Sequence, residues 1–489
     1  MKLLRHPCVV ASLAVAFACG LGAVAPAGAE EVPSLLSGDN LPRETKEASL
    51  EALIDRIEQL EATQDELLAD RKSLEEQLAH RVATGHDGAT MELSGRIHAD
   101  LWTFPGDSPG VNGFESGDPT VSPQDEIGIR RARLTFQGDV ADNMLYKLDL
   151  EIVGSNHPEF RDAYLGWRDL PLLQTLHVGN QKRPYGLDHI NSSRYNVFME
   201  RPMVVEAFNP GNRRLGIQSY GVSDDQVWNW RYGAFNQGLI QDEYAYVSDN
   251  WQPQLAGRLA KTAWWHEPTN GRGYAHLALA GSWADTDQNA PVDNYAGSGR
   301  NEARFATRPE ARSSASWIDT GVIADAEHYT LLASEGVLNF GALQLVAEQQ
   351  NLFIERARGE SLYLHGAYAY LSYFLTGEYI PWDRETGQIG RAIPNESFFA
   401  VERRCDVERG WGAWQVACRW SYADLADQDI QGGDAEAITL SLNWYWNAYA
   451  KLQTEYTWGQ IEANDLNAAP AGPNAGDYQI LGTRFVIDF

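Results

Sequence analysis

The residues most able to do chemistry in this sequence are cationic, and they concentrate between Gly179 and Gly216. In this stretch basic residues outnumber acidic ones, although the whole chain carries a net charge of −28. The basic residues are Lys182, Arg183, Arg194, Arg201, Arg213 and Arg214, and the acidic residues are Asp188, Glu200 and Glu206. Guanidinium and ammonium groups bind anions through charge-assisted hydrogen bonds. The cluster therefore predicts a path for anions.

The cluster spans a long connection, residues 184–212, whose composition does not suit a solvated loop. The connection contains three prolines and an apolar run that includes Phe198 and Phe208. A loop of this length usually folds onto the rest of the protein. One interpretation is a constriction loop that enters a pore and is lined by cations. The alternative is that pairs such as Glu200 and Arg201 brace the loop against a wall.

Charged residues outside the cluster bear on the sign of the selectivity. Arg131 and Arg133 lie two residues apart and point the same way on a strand, so they add to a basic lumen. The acidic residues Asp149, Glu151 and Glu455, together with the net charge, favour cations if they face the pore. The residues alone therefore leave the sign of the selectivity open.

A second cationic series steps every four residues through another long connection: Arg300, Arg304, Arg308 and Arg312. Four-residue steps align on one face of a helix. Pro309 interrupts any helix at this point. The alternative is therefore an irregular exposed loop.

Sequence motifs of enzymes and metal sites are missing. There is no His-Glu-x-x-His motif, no Gly-x-Ser-x-Gly elbow, no phosphate-binding glycine loop and no Cys-x-x-Cys pair. The acidic segment 285–293 has roughly the spacing of a calcium loop but lacks its glycine and its closing glutamate. We therefore predict no enzymatic activity, no cofactor and no bound metal.

The elements that position these residues begin with an export signal. Lys2 and Arg5 precede an apolar run over residues 8–24, which ends in the small-residue triplet at 27–29. This order predicts a secretory signal peptide over residues 1–29. Export permits a disulfide between Cys405 and Cys418, the two cysteines of the mature chain, with two free thiols as the alternative.

A helical segment follows the signal. Residues 30–46 form a polar, flexible lead-in, and from Leu50 onward leucines and isoleucines recur at alternating steps of three and four. This heptad pattern predicts a coiled coil over residues 47–80, with an amphipathic helix lying on the next domain as the alternative. Residues 81–90 contain two glycines and are predicted to be a hinge.

Residues 91–489 change to a period of two, which is typical of β-strands with one apolar and one polar face. The mean hydropathy of −0.39 and the lack of a later apolar run exclude a helical membrane protein. The chain nevertheless has 16 Trp, 21 Tyr and 16 Phe, and many of them lie near the ends of strand-like segments. Transmembrane barrels combine these properties. We therefore predict an all-β transmembrane barrel, preceded by the short α-helical coiled coil.

The barrel is predicted to have about sixteen antiparallel strands, which would leave a water-filled lumen. Segments 302–323 and 398–407 could each change this count. The candidate strands lie near 93–104, 126–139, 143–153, 160–168, 173–183, 213–222, 226–237, 252–265, 273–285, 326–338, 341–352, 362–376, 411–423, 435–447, 449–461 and 477–489.

Several short stretches resemble the phosphate-selective porin O/P family. They are RRARL at 130–134 with YKL at 146–148, DAYLG at 162–166, VGNQKRPYGL at 178–187, FMER at 198–201, GE at 377–378, LNWYWN at 442–447 and RFVIDF at 484–489. The resemblance covers residues 91–489. It implies a sixteen-stranded barrel, assembly as a homotrimer, an N-terminal periplasmic coiled coil, and permeation of anions such as phosphate along Lys182, Arg183, Arg201 and Arg213.

The prediction is thus a porin of the bacterial outer membrane that passes small hydrophilic solutes by diffusion, with outer-membrane lipid around it. The strongly acidic composition argues against nucleic acid as a partner. The alternative function is a structural tether, in which residues 47–80 contact the cell wall and the barrel is mainly an anchor. An exported soluble glycan-binding β protein is a further alternative.

Overall fold

The computed structural model describes residues 81–83, 89–154, 158–209, 211–237, 251–286, 303–401, 409–462 and 475–489. The predicted signal peptide (1–29), lead-in (30–46) and coiled coil (47–80) lie outside these residues. Of the predicted hinge, Arg81–Ala83 form a short strand that pairs antiparallel with residues 90–92. The rest of the description concerns the barrel.

Sixteen long strands follow one another along the chain, and the predicted all-β barrel is confirmed. The strands are β1 (Thr90–Gly106), β2 (Glu126–Ala141), β3 (Met144–Glu151), β4 (Glu159–Leu170), β5 (Gln174–Lys182), β6 (Arg213–Val222), β7 (Trp228–Asn236), β8 (Pro253–Trp265), β9 (Gly273–Asp285), β10 (Ala326–Phe340), β11 (Leu343–Arg356), β12 (Leu362–Phe374), β13 (Ala413–Asp427), β14 (Ile430–Asn447), β15 (Ala450–Glu462) and β16 (Ala475–Asp488). Each overlaps one of the sixteen segments that the alternation predicted.

The sheet closes on itself because β16 pairs with β1 as well as with β15. Arg96 lies opposite Asp488 at this seam, and the backbone N–H of Gly95 donates to the carbonyl of Phe489 at 2.8 Å. Every other strand pairs antiparallel with its neighbours in the chain. Closure leaves no strand edge unpaired, which a barrel in lipid requires.

The two faces of the wall follow from the period-two sequence. In β11, Leu343 and Leu345 point outward and are exposed, whereas Gln344, Glu348 and Gln350 point inward and are buried. Successive side chains of a strand lie on opposite faces of the sheet. The wall is therefore apolar outside and polar inside, the reverse of a soluble barrel.

The two ends of the barrel differ in the length of their connections. Most connections at one end, which we call the turn end, are short, such as 142–143 and 448–449, whereas the connections at the other end, the loop end, include 107–125 and 183–212. The chain also finishes at the turn end. One connection there breaks the pattern, because residues 375–412 between β12 and β13 are long. Nothing in the residue pattern predicted this exception.

Three segments enter the lumen and supply its apolar core. The first is the constriction loop, residues 183–212, which contains two short helices, α2 (Leu187–Ile190) and α3 (Met203–Phe208). Helix α1 (Pro109–Ser116) lies earlier, after β1. The second is the arginine-series segment, residues 303–325, and the third is the turn-end hairpin, residues 380–391. Their buried apolar side chains include Phe198, Met199, Met203, Phe208, Phe305, Trp317 and Trp382.

In their described residues, segments 302–323 and 398–407, which could each have changed the strand count, add no strand to the barrel. Ala306–Thr307 pairs only with Ile318–Asp319, and Ser397–Phe398 pairs in parallel with Arg409–Gly410. In the part of the chain that is described, no helix is long and apolar enough to cross a membrane.

Candidate functional site

The constriction loop crosses the lumen from β5 and β6 to the opposite wall. There Asn443 donates to the carbonyl of Val197 at 2.8 Å, and the carboxylate of Glu455 accepts the N–H of Met199 at 2.7 Å. Polar wall residues thus satisfy backbone groups that the loop would otherwise bury without partners. Glu455 faces the lumen as the alternation predicts, but it holds the loop instead of facing an open path.

Glu200 is the main ionic anchor of the loop. Its carboxylate accepts from Arg130 at 2.7 Å and from Arg484 at 2.6 Å, and it is buried. Burial alone would raise the pKa of Glu200, but the two guanidinium groups hold this pKa well below its usual range. The neighbouring Arg201 pairs instead with Asp188 at 3.1 Å. Glu200 thus braces the loop through Arg130 and Arg484 and not through Arg201, whereas Arg201 also borders open space.

That open space is a cavity of about 310 Å³, which we call the constriction cavity, between the loop, the turn-end hairpin and the wall formed by β1 to β7. Its lining is strongly cationic. Nine basic side chains line it, against the single carboxylate of Asp162: Arg96, Arg131, Arg133, Lys147, Lys182, Arg194, Arg201, Arg213 and Arg231.

Six of the eight residues predicted for the anion path line this cavity: Lys182, Arg194, Arg201, Arg213, Arg131 and Arg133. The other two, Arg183 and Arg214, are not on it. Arg183 donates to the Gln237 side chain at 3.0 Å and to the carbonyl of Gly211 at 2.9 Å. Arg214 donates to the carbonyl of Gln237 at 2.7 Å. The physical reason is that both guanidinium groups are buried beside the cavity, where the carbonyls of Gly211 and Gln237 hold them.

Sequence reasoning missed three cations of the lining, Arg96, Lys147 and Arg231. Each stands alone among basic residues on its strand, so a search for dense positive charge does not find it. The alternation of inward and outward residues along a strand could have identified two of them. Arg96 lies directly opposite Arg133, on the inward face of β1. Lys147 likewise belongs to the polar row of β3.

Carboxylates neutralise part of the lining. Asp162 lies between Arg213 at 2.6 Å and Lys147 at 3.3 Å. Asp149 and Glu151, which the sequence analysis weighed against an anion preference, do face inward, but both lie beside Arg133. The neighbouring guanidinium groups therefore neutralise their negative charge.

Four cations of the lining have no carboxylate within 4.0 Å among the residues that the structure describes: Arg96, Arg131, Lys182 and Arg231. Their partners are neutral. Arg96 donates to the hydroxyl of Ser193 at 2.8 Å, Lys182 to the carbonyl of Asn191 at 2.7 Å, and Arg231 to that of Thr386 at 2.9 Å. A neutral acceptor satisfies a hydrogen bond but leaves the positive charge uncompensated. The cavity therefore carries net positive charge.

The turn-end hairpin closes the cavity from the opposite side. Its Thr386 and Gln388 line the cavity, and the N–H of Ile389 donates to the side-chain oxygen of Asn191 at 3.2 Å. Trp382 anchors the hairpin by stacking on Tyr274, with 5.6 Å between ring centroids. The constriction is thus built from both ends of the barrel.

The second cationic series does not line this cavity. Arg304 pairs with Asp319, and Arg308 donates to the carbonyl of Ser313 at 2.9 Å. Residues 303–325 are irregular apart from their short strand pair, so the helical interpretation is wrong for them. The alternative of an irregular loop is correct, but the segment is largely buried in the lumen and not exposed. Arg300 lies outside the described residues.

Comparison with known proteins gives one family and several distant structures. A model of the family "Phosphate-selective porin O and P" matches residues 94–489. An uncharacterized protein of Caulobacter vibrioides is 28% identical over 373 residues, which cover 74% of this chain and 68% of that protein.

Similar solved structures include the trimer form of OmpT of Vibrio cholerae, at 11% identity and a TM-score of 0.47, covering 82% of this chain and 100% of that one. An anion-selective porin from Comamonas acidovorans has 13% identity and a TM-score of 0.47, covering 82% and 100%. The outer membrane channel DcaP of Acinetobacter baumannii has 11% identity and a TM-score of 0.47, covering 83% and 99%.

Proposed function

Because the chain belongs to the phosphate-selective porin O and P family, whose barrel forms an outer-membrane channel, we propose that it passes small anions, including phosphate, through the constriction cavity. The observation that carries the proposal is the lining of nine cations against one carboxylate. The net charge of −28 does not oppose it. Charges farther away than the Debye length, about 8 Å at physiological salt, are largely screened, so an ion in the constriction experiences mainly the local charges.

The arrangement also suits conduction rather than permanent binding. An anion in the cavity exchanges its water for guanidinium and ammonium donors, and a channel needs sites that are favourable but not too tight. Asp162 weakens the sites at Arg213 and Lys147. The cations with neutral partners, such as Arg131 and Arg96, supply the attraction. Because guanidinium groups offer paired donors, they favour oxyanions such as phosphate.

The test is the reversal potential of single channels in a potassium chloride gradient. We expect wild-type protein to prefer chloride. The double variant Arg96→Gln and Arg131→Gln should lower the permeability ratio of chloride to potassium at least about fivefold. Removing a unit charge about 4 Å from an ion is worth about 1 kcal/mol even in bulk water. Neither arginine has a carboxylate partner within the described residues, so the substitutions leave no acid unpaired.

The matched control is Arg358→Gln, because this arginine lies at the loop end with 83% of its side chain exposed. It should keep the wild-type selectivity. A wild-type channel that prefers potassium would refute the anion proposal. An unchanged ratio in the double variant would refute the assigned path.

Phosphate itself is tested by competition. Inorganic phosphate added to chloride should reduce the chloride current of wild-type channels, and the Arg96→Gln, Arg131→Gln variant should need more phosphate for the same reduction. Chloride currents that are indifferent to phosphate would leave a general anion channel and exclude phosphate as a preferred solute.

We also propose that the channel is a homotrimer, which is supported by the family resemblance alone. Native mass spectrometry of detergent-purified protein tests it directly. The predicted coiled coil over residues 47–80 lies outside the described residues. The cell-wall tether depends on that segment, so the described residues do not support it. A trimer that persists after deletion of residues 47–80 would show that the barrel assembles without that segment.

A further inference from the structure

The outer wall carries an apolar groove of about 810 Å³ across β5 to β10. Its floor is a pair of glycines, Gly257 on β8 directly opposite Gly281 on β9. In the same cross-strand row, Tyr232 on β7 and Leu332 on β10 form the two rims. Side-chain bulk is missing between the rims, and no charged residue lines the groove. The groove therefore offers room for one flexible apolar chain.

An unusual cation lies on the same outward row of β8. Lys261 follows Leu255, Gly257 and Leu259 on this face and is exposed. The other three lysines in the described part of the chain are not on the outer face: Lys147 and Lys182 line the constriction cavity, and Lys451 is buried against the constriction loop. Lys261 makes no ion pair within the described residues, and its ammonium lies 4.9 Å from the ring centroid of Trp228.

The distance in depth between Lys261 and the groove fits within one half of a bilayer. Strand β8 runs toward the turn end, so Lys261 lies nearer that end than Gly257. Four residues of a strand span about 13 Å. With the usual barrel tilt this is roughly 10 Å of depth, within half of a hydrocarbon core of about 30 Å. The aromatic side chains Trp228, Trp264 and Phe340 mark the interface at this end.

We propose that Lys261 and the Gly257–Gly281 groove bind one phospholipid of the periplasmic leaflet, with its phosphate at the ammonium of Lys261 and one acyl chain in the groove. The turn end faces the periplasm, because short connections mark the periplasmic side of such barrels. A cation on a lipid-facing wall is costly unless an anion compensates it. A phosphodiester supplies that anion, and its acyl chain fills the gap left by the two glycines.

The experiment is native mass spectrometry of the detergent-purified full chain titrated with phosphatidylglycerol that carries two long acyl chains. Lys261→Gln should weaken lipid occupancy about fivefold, the usual contribution of one basic residue at an anionic lipid surface. Gly257→Leu should weaken it as well by filling the groove. This substitution has space, because a Cβ at Gly257 would have no neighbour closer than 3.6 Å.

Two controls separate the site from general effects. Lys261→Arg keeps the charge and should retain the lipid. Ala347→Leu adds bulk to the outward-facing row of β11, outside the groove, and should also retain it. Soluble glycerol phosphate should not displace the lipid, because the acyl chain contributes to binding. If Gly257→Leu fails to fold, the Gln and Arg variants of Lys261 still decide the question.

Equal lipid occupancy in wild-type protein and Lys261→Gln would overturn the proposal. So would a change of oligomeric state in Gly257→Leu, because the groove would then be an interface between copies. Displacement of the lipid by glycerol phosphate would show that the site binds only a phosphate group. That result would also refute the proposal. The chloride selectivity of the Lys261 variants should remain that of wild type, because Lys261 is outside the lumen. The outcome is therefore independent of the proposed anion path.

Discussion

At the scale of single residues, the balance between cations and carboxylates decides what the constriction cavity attracts. Arg213 and Lys147 share Asp162, whereas Arg131 has no carboxylate partner among the described residues. Two arginines of the same lining therefore contribute differently to an anion path. A count of basic residues does not reveal this difference, because it depends on which acid faces which base.

Asp162→Asn is the residue-scale prediction. The substitution removes the single carboxylate of the lining and releases the charge of Arg213 and Lys147. We expect the chloride-to-potassium permeability ratio to rise about fivefold, by the same charge argument as above. Reversal potentials in a potassium chloride gradient measure it. Asp429→Asn is the control, because Asp429 pairs with Arg356 in an exposed turn. A fall in the ratio for Asp162→Asn would contradict the expectation.

At the scale of elements, the constriction loop and the turn-end hairpin convert a wide barrel into a narrow path. The loop carries apolar side chains such as Phe198 and Phe208, which are buried in the lumen against the wall and the arginine-series segment. Phe208 meets Phe305 of that segment edge to face, with 6.2 Å between centroids. The burial of apolar surface, together with the polar anchors at the opposite wall, holds the loop inside.

Glu200→Gln tests the anchor of the constriction loop. The variant loses the ionic contacts with Arg130 and Arg484. Arg484 keeps its ion pair with Asp100, but the partly buried Arg130 loses its carboxylate partner. We expect a loss of roughly 3 kcal/mol in the stability of the docked loop. It should appear as increased noise in the open-channel current. Because the folded-state pKa of Glu200 is depressed, its contribution is present at neutral pH and is lost only as the pH falls through that low value.

Two comparisons make the Glu200 result interpretable. Glu200→Asp should be intermediate, because it retains the charge but shortens the reach. Asp325→Asn removes an exposed ion pair with Arg358 and should leave the noise unchanged, since exposed ion pairs contribute little. Quiet currents from Glu200→Gln would mean that the other wall contacts suffice to hold the loop.

Trp382→Ala tests the turn-end hairpin. The substitution removes the stacking on Tyr274 and the contact with His276, whose ring centroid lies 4.3 Å away. A buried Trp→Ala change typically costs about 3 to 5 kcal/mol. The hairpin should then leave the cavity for part of the time and raise the mean conductance. Trp411→Ala is the matched control, because 68% of Trp411 is exposed. An unchanged conductance in Trp382→Ala would show that the hairpin does not limit the current.

At the scale of the whole molecule, closure between β1 and β16 joins the sixteen strands into one cooperative folding unit. The seam joins residues nearly 400 positions apart, such as Asp100 and Arg484, which also form a buried ion pair at 2.6 Å. Every barrel strand pairs with a strand on each side, so the wall has no free edge at which unfolding could begin. The closed barrel therefore persists while its last strand is present.

Removal of β16 is the prediction at this scale. Unheated wild-type protein should migrate on a detergent gel at a different position from heated protein, because the closed barrel resists unfolding. A chain truncated before Ala475 leaves one edge of β1 and one edge of β15 unpaired, so the barrel cannot close and should show no such heat-dependent shift. Asp488→Asn, which keeps every strand pair, is the control. A heat shift in the truncated chain would mean that closure does not depend on β16.

The strands of this protein, and the face on which each of their residues lies, follow from local sequence. The alternation of Met144–Glu151 or of the arginines at 131 and 133 is local, because a strand places successive side chains on opposite faces wherever it occurs. All sixteen barrel strands were predictable for this reason. Family membership also followed from short local stretches such as VGNQKRPYGL at 178–187.

Only the tertiary structure decided which cations converge. Arg183 and Arg214 turn away from the cavity, whereas Arg96 and Arg231 enter it from strands far away in the chain. The constriction loop takes its position from long-range contacts such as that between Met199 and Glu455. Contacts of this kind depend on closure of the barrel and on the relative positions of distant strands, which no local pattern encodes. The residue types thus predicted an anion path, and the docking of two connections inside the barrel decided which cations line the cavity.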